Sequence, residues 1–148
     1  MAAKRARKRP WRRLFVVAAL LAAYPAFVMA ATYAQFFAAD LPGGRNGPAD
    51  AYRHSLASAI VAYTSSPRCV DWVTRVMERD GQGGDARAMD AHNNRIGARI
   101  GATAPSWTSM QQAVLAAVRR GAIDAHVGAR SPEQITWLAP GAWQERLY

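Results

Sequence analysis

The chain has 148 residues, with 19 Lys and Arg against 10 Asp and Glu, a formal net charge of +9. That length holds one small domain and excludes a multidomain enzyme or a large α/β barrel. The charge is concentrated at one end: residues 1–13 carry seven cations (Lys4, Arg5, Arg7, Lys8, Arg9, Arg12, Arg13) and no acid, leaving twelve Arg against ten acids in the rest. The basicity belongs to this leader and not to the body of the chain, so no nucleic-acid partner is expected.

Leu14 to Ala39 is uncharged throughout. Read as a bilayer span, it exceeds the roughly 20 apolar residues required. The cations on its N-terminal side then place residues 1–13 in the cytoplasm. Read as a cleavable signal, Leu14–Tyr24 is the apolar stretch, Pro25 breaks it, and Val28-Met29-Ala30 offers a small-residue cleavage site near Ala30. Both readings export residues 46–148 from a bacterial cytoplasm, either tethered to the inner membrane through residues 14–39 or released beyond it. Arg12-Arg13-Leu14-Phe15-Val16 resembles the core of a twin-arginine export signal, with Trp11 where a hydroxyl residue is usual. Cys69 is the only cysteine, so the domain is held by packing rather than by an internal disulfide.

Residues 40–47, with Pro42, Gly43, Gly44 and Gly47, form a turn-rich linker. Asn46 as cap and Pro48 as first residue open a helix to about Tyr63. Tyr52, Leu56, Ala59, Ile60 and Tyr63 share one apolar face of it, and Asp50, His54, Ala57 and Val61 form a second stripe alongside. Apolar residues on both stripes imply burial, which takes Asp50 and His54 out of the class of plain surface charges.

A second helix is expected from Ser66-Pro67 to about Arg79, with Asp71 and Arg75 paired outside, followed by a flexible connector at residues 80–85. A third covers about Ala88 to Gly101. In it Met89, Ile96 and Ile100 face inward with Asn93 between them, while Asp90, Asn94, Gly97 and Gly101 share the adjacent stripe. Two glycines four residues apart cost a helix about 1 kcal/mol each, which close approach of a partner backbone would offset. A fourth helix spans about Met110–Arg120, and Ser131 through Trp137 opens with capping-box spacing as a short last helix. No run alternates with period two. The fold expected is all-α: a small orthogonal or irregular bundle of four to five helices, residues 48–148, after the N-terminal transmembrane or signal helix.

Two polar clusters stand out, Asn46–His54 and Met89–Gly97. Asp50 and His54 lie one helical turn apart, so the carboxylate can orient the imidazole and raise its basicity. Asp90 and Asn94 share a face, and His92 points roughly 160° away from them. The paired signatures N-G-x-x-D-A-x-R-H and M-D-x-H-N-N-x-x-G resemble those of a bacterial domain of unknown function found in small exported or envelope proteins. The resemblance spans Asn46–Gly101 and implies a site of Asn46, Asp50, Arg53, His54, Asp90, His92, Asn93 and Asn94, with no reaction attached. A weaker resemblance, to the small helical prokaryotic phospholipases A2, rests on the Arg53-His54 pair. There an Asp follows the His, whereas here Ser55 does, and the glycine-rich calcium loop is missing.

The chemistry expected of these residues is hydrolytic, with His54 as base, Asp50 orienting it, and Asp90 with Asn94 binding a metal or a polar substrate group. Asp50, His54 and Asp90 can supply three ligands to a divalent metal if the first and third exported helices pack together. The competing expectation is a scaffold in which the same Asp, His and Asn groups cross-link helices in an Ala-rich core. An envelope lipid, glycan or protein is the partner class in either case. His126 is expected on the surface. No HExxH, CxxC, G-x-S-x-G or P-loop spacing is present, so the families built on them are unsupported.

Overall fold

A computed structural model describes residues 10–66, 68, 70, 84–124 and 130–143. Four helices account for most of them: α1 (Pro10–Ala38), α2 (Pro48–Thr64), α3 (Asp85–Thr103) and α4 (Trp107–Arg119). The all-α expectation holds. The expected second helix with Asp71 and Arg75, most of the connector after it, Cys69 and His126 all lie outside the described residues.

Helix α1 is continuous through Pro25, where a cleavable signal would have its apolar stretch broken. Its N-terminal half stands free, whereas its C-terminal half packs antiparallel to α2. Tyr24 Oη lies 2.7 Å from Thr64 Oγ1 at one end of the pair. Val28, Thr32 and Ala39 are buried along the seam, and Phe36 packs against the same core.

Helices α2 and α3 run side by side in one direction, and the two glycines account for how closely. A Cβ added at Gly97 would overlap the carbonyl oxygen of Ser55, and one at Gly101 would overlap that of Ala59. The close approach expected of the Gly97/Gly101 pair is therefore realised against the middle of α2. Helix α4 closes the core with Met110, Val114 and Val118 turned against Tyr52, Leu56 and Ile60. Its cap is Ser106, whose Oγ accepts from the Ser109 amide.

The stretch expected as a last helix departs from expectation. Ser131 accepts a backbone bond from Gln134 in a tight turn, and the chain then extends into a strand. Strands β1 (Ala122–Ile123) and β2 (Thr136–Trp137) pair in parallel, Ala122 with Thr136 and Ile123 with Trp137. A single 3₁₀ turn, Pro140–Ala142, follows. Capping-box spacing failed here because β2 is captured from outside: the Asn93 side chain on α3 donates to Thr136 O at 2.8 Å and accepts from Thr136 N at 3.0 Å. Arg130, ahead of β2, is paired with Asp124, just after β1, with Nε to Oδ1 at 2.6 Å and Nη2 to Oδ2 at 2.5 Å. Those bonds, set against the cost of burial, hold the Arg130 guanidinium charged.

Candidate metal centre

The site is built at the start of α2. Pro48 occupies the first turn and Gly47 is the cap, without the side-chain bond expected from Asn46. Asn46 instead takes a left-handed backbone conformation (φ 67°), which Asn tolerates better than most residues. Its backbone N–H donates to Asp50 Oδ2 at 2.9 Å. Asp50 Oδ1 accepts from Arg53 Nε at 3.0 Å and from Arg53 Nη2 at 2.5 Å. A carboxylate whose side chain is only 3% exposed is thus compensated on both oxygens. Burial opposes the Arg53 charge, but Asp50 outweighs it, with a further contribution from Tyr33 on α1, and the net effect raises the guanidinium above its ordinary range.

His54 follows one turn later, with Nε2 3.6 Å from Asp50 Oδ1 and 3.7 Å from Asp90 Oδ2. These separations are too long for hydrogen bonds. Arg53 Nη2 is nearer, at 3.1 Å. A guanidinium only donates, so this contact calls for a lone pair on Nε2 and the ring proton on Nδ1. The same lone pair is what a metal ion would use.

Asp90 completes the group from α3. Its Oδ1 is buried and has no hydrogen-bond partner among the described residues. Burial raises its pKa above the usual carboxylate range; His54, Arg53 and Arg45 pull against that shift, and the Asp50 charge reinforces it. One ligand atom from each of Asp50, His54 and Asp90 can be chosen so that all lie within 4.8 Å of one another. The side chains of His54 and Asp90 remain 29% and 25% exposed, so the group opens to solvent on one side.

The other residues singled out in the sequence lie elsewhere. His92 Nε2 contacts Gln134 O at 2.9 Å, on the far side of α3 from Asp90, as its angular offset required. Asn93 is fully buried and spends its amide on β2. Asn94 Oδ1 accepts from Ser58 Oγ at 2.9 Å, and Ser55 Oγ donates to the backbone of Asn93 at 3.3 Å. These bonds fix α3 on α2 and on β2. The second cluster therefore divides, with Asp90 turned to the site and His92, Asn93 and Asn94 holding the fold. Tyr33, Ser55 and Ser58 were not foreseen, although the two serines sit on the α2 face that meets the glycines and could have been read from it.

A family model described as a domain of unknown function, DUF6973, matches residues 11–123. The chain belongs to that family. The match takes in α1 as well as both polar clusters and stops before β2, so the segment clamped by Asn93 lies beyond it. No curated protein and no solved structure matches.

Proposed function

We propose that Asp50, His54 and Asp90 hold a divalent cation and that this DUF6973 chain is a metal-assisted hydrolase acting on a polar substrate of the bacterial envelope. One observation carries the reading: three ligand atoms from two helices converge within 4.8 Å, and one of the carboxylates keeps a buried oxygen with no hydrogen-bond partner among the described residues. One imidazole and two carboxylates suit zinc or manganese, and three protein ligands leave coordination open for water or substrate. Such a cation would lower the pKa of a bound water toward neutrality. The chain's own contribution is a fixed Asp50, held by Asn46 and Arg53, and a His54 whose Nε2 faces both carboxylates.

The test is the thermal melt of the full chain in detergent with chelator and with added zinc, manganese or calcium. A cation at about a hundred times its Kd adds about 2.7 kcal/mol, a shift of several degrees. The shift is expected in the wild type and absent from His54→Ala and Asp90→Ala, after which hydrolase screens with the metal-loaded protein follow. A second reading, the structural network, is favoured by the satisfied state of Asp50 and by the use of His92 and Asn93 on the backbone. It predicts no metal shift and early melting of both variants.

A further inference from the structure

Helix α1 is apolar around its whole circumference over Leu14–Ala31, and over Arg13–Ala38 it is the one helix among the described residues long and apolar enough to cross a membrane. Such a helix needs covering on every side. Helix α2 and its neighbours cover one side of its second half. Among the described residues nothing covers the first half, where Trp11, Leu14, Phe15, Val16 and Val17 are all more than half exposed.

The change from free to docked helix falls at an aromatic collar. Phe27 lies against Trp107 at the start of α4, ring centroids 6.1 Å apart, and Tyr63 at the end of α2 meets the same indole at 5.9 Å. Tyr24 joins them through its bond to Thr64. Phe27, Tyr24 and Tyr63 remain more than a third exposed. Large, partly exposed rings, three of the four with a polar tip (Tyr24, Tyr63 and Trp107), gathered where an apolar helix leaves a folded domain, match the chemistry of a membrane–water interface.

Length decides how deep the domain sits. Spanning about 30 Å of hydrocarbon from Leu14 would carry the far boundary to about Tyr33, at the level of Arg53. The lower part of the domain would then sink with it, including the exposed Arg95 and Arg99 of α3. Each buried Arg costs about 3 kcal/mol or more in a bilayer centre. The free half, residues 11–23, reaches only about 20 Å. The remainder is within reach of a snorkelling Arg13 and of local thinning.

We propose that a lipid bilayer takes up residues 11–23 and meets the domain at the collar of Tyr24, Phe27, Tyr63 and Trp107, with the Asp50–His54–Asp90 cluster facing away from it. From Tyr24 to Tyr33 the helix rises about 14 Å, which sets the height of the cluster above the lipid. A ligand then reaches the cluster from the aqueous side. This seating does not depend on the metal reading.

The exposed alanines of α1 make the test. In the full chain carrying Cys69→Ala and reconstituted into phosphatidylethanolamine/phosphatidylglycerol vesicles, single variants Ala19→Cys, Ala23→Cys, Ala34→Cys and Ala38→Cys are treated with a water-soluble maleimide. The thiolate is the reacting species and hydrocarbon suppresses it, so positions 19 and 23 are expected to label roughly tenfold or more slowly than 34 and 38. All four should label once the vesicles are dissolved in denaturing detergent. Protection extending through position 34 would overturn the proposal in favour of a full span by an undocked helix. Free labelling at 19 and 23 would remove the bilayer, and protection that survives in mild detergent with a dimer-sized particle would put a second copy of the chain there.

Discussion

Arg53 is the residue on which the two readings of the site part. Its Nη2 lies beside both Asp50 Oδ1 and His54 Nε2 and takes the position of a cation between two of the three metal ligands. A metal entering there competes with it, and the exposed part of Arg53 with its contact to Tyr33 gives the guanidinium somewhere to go. Arg53→Ala is therefore expected to tighten zinc binding by about tenfold, the scale of one surface-coupled charge. Isothermal titration of the full chain measures it, and weaker binding in the variant would make Arg53 part of the ligand cradle. Asp90 supplies the pH counterpart. Its carboxyl holds a proton more tightly when folded than when unfolded, so its ionisation costs stability. In metal-free protein that contribution is fully present below about pH 4, the ordinary carboxylate value, and is lost as the pH rises through the elevated folded value. Asp90→Asn removes the dependence, so the stability difference between wild type and variant should move in the variant's favour between acid and neutral pH. A difference that stays flat would mean the charges around Asp90 cancel its burial. The one-turn spacing of Asp50 and His54 made half of this site legible in sequence. The pairing with Asp90 followed only once the glycines were read as a helix contact, and Tyr33 was hidden because its segment read as lipid-facing.

At the scale of elements, α2 and α3 are the frame that brings the ligands together, and Gly97 and Gly101 set their separation. Gly101→Ala gains about 1 kcal/mol of intrinsic helix preference. It also drives a methyl group into the Ala59 carbonyl, which backbone alone can relieve by moving. Overpacking of this kind costs about 1–3 kcal/mol, so a net loss of stability is expected in chemical denaturation. Cation binding should weaken with it, although Gly101 touches no ligand, because Asp90 reaches His54 only while the helices stay in contact. Unchanged stability would show that the two helices are held apart from this contact by other bonds. The helices were legible because their apolar periods repeat over several turns. The two-residue strands were not: β2 is specified by Asn93, 43 residues earlier in the chain, and by the Asp124–Arg130 pair rather than by any pattern of its own.

For the whole molecule, the second half of α1 is packed where a leader would be disposable. A chain beginning at Tyr24 keeps Val28, Thr32, Tyr33, Phe36 and Ala39 on α2, and it is expected to melt within a few degrees of the full chain. A chain beginning at Asp40 strips that side of α2 and takes away the Tyr33 contact to Arg53. Re-exposing apolar surface equivalent to a few medium side chains costs about 3–5 kcal/mol, so the shorter chain should unfold at clearly lower denaturant. Cleavage near Ala30 falls between these cases, removing Tyr24, Phe27 and Val28 while leaving Thr32, Tyr33, Phe36 and Ala39. A chain beginning at residue 31 should therefore keep the Arg53 geometry but lose the aromatic collar, giving a stability between the other two and no retention on vesicles. Equal melting of all three chains would make α1 a passive tether. A graded series would make the same helix both the membrane contact and a wall of the site.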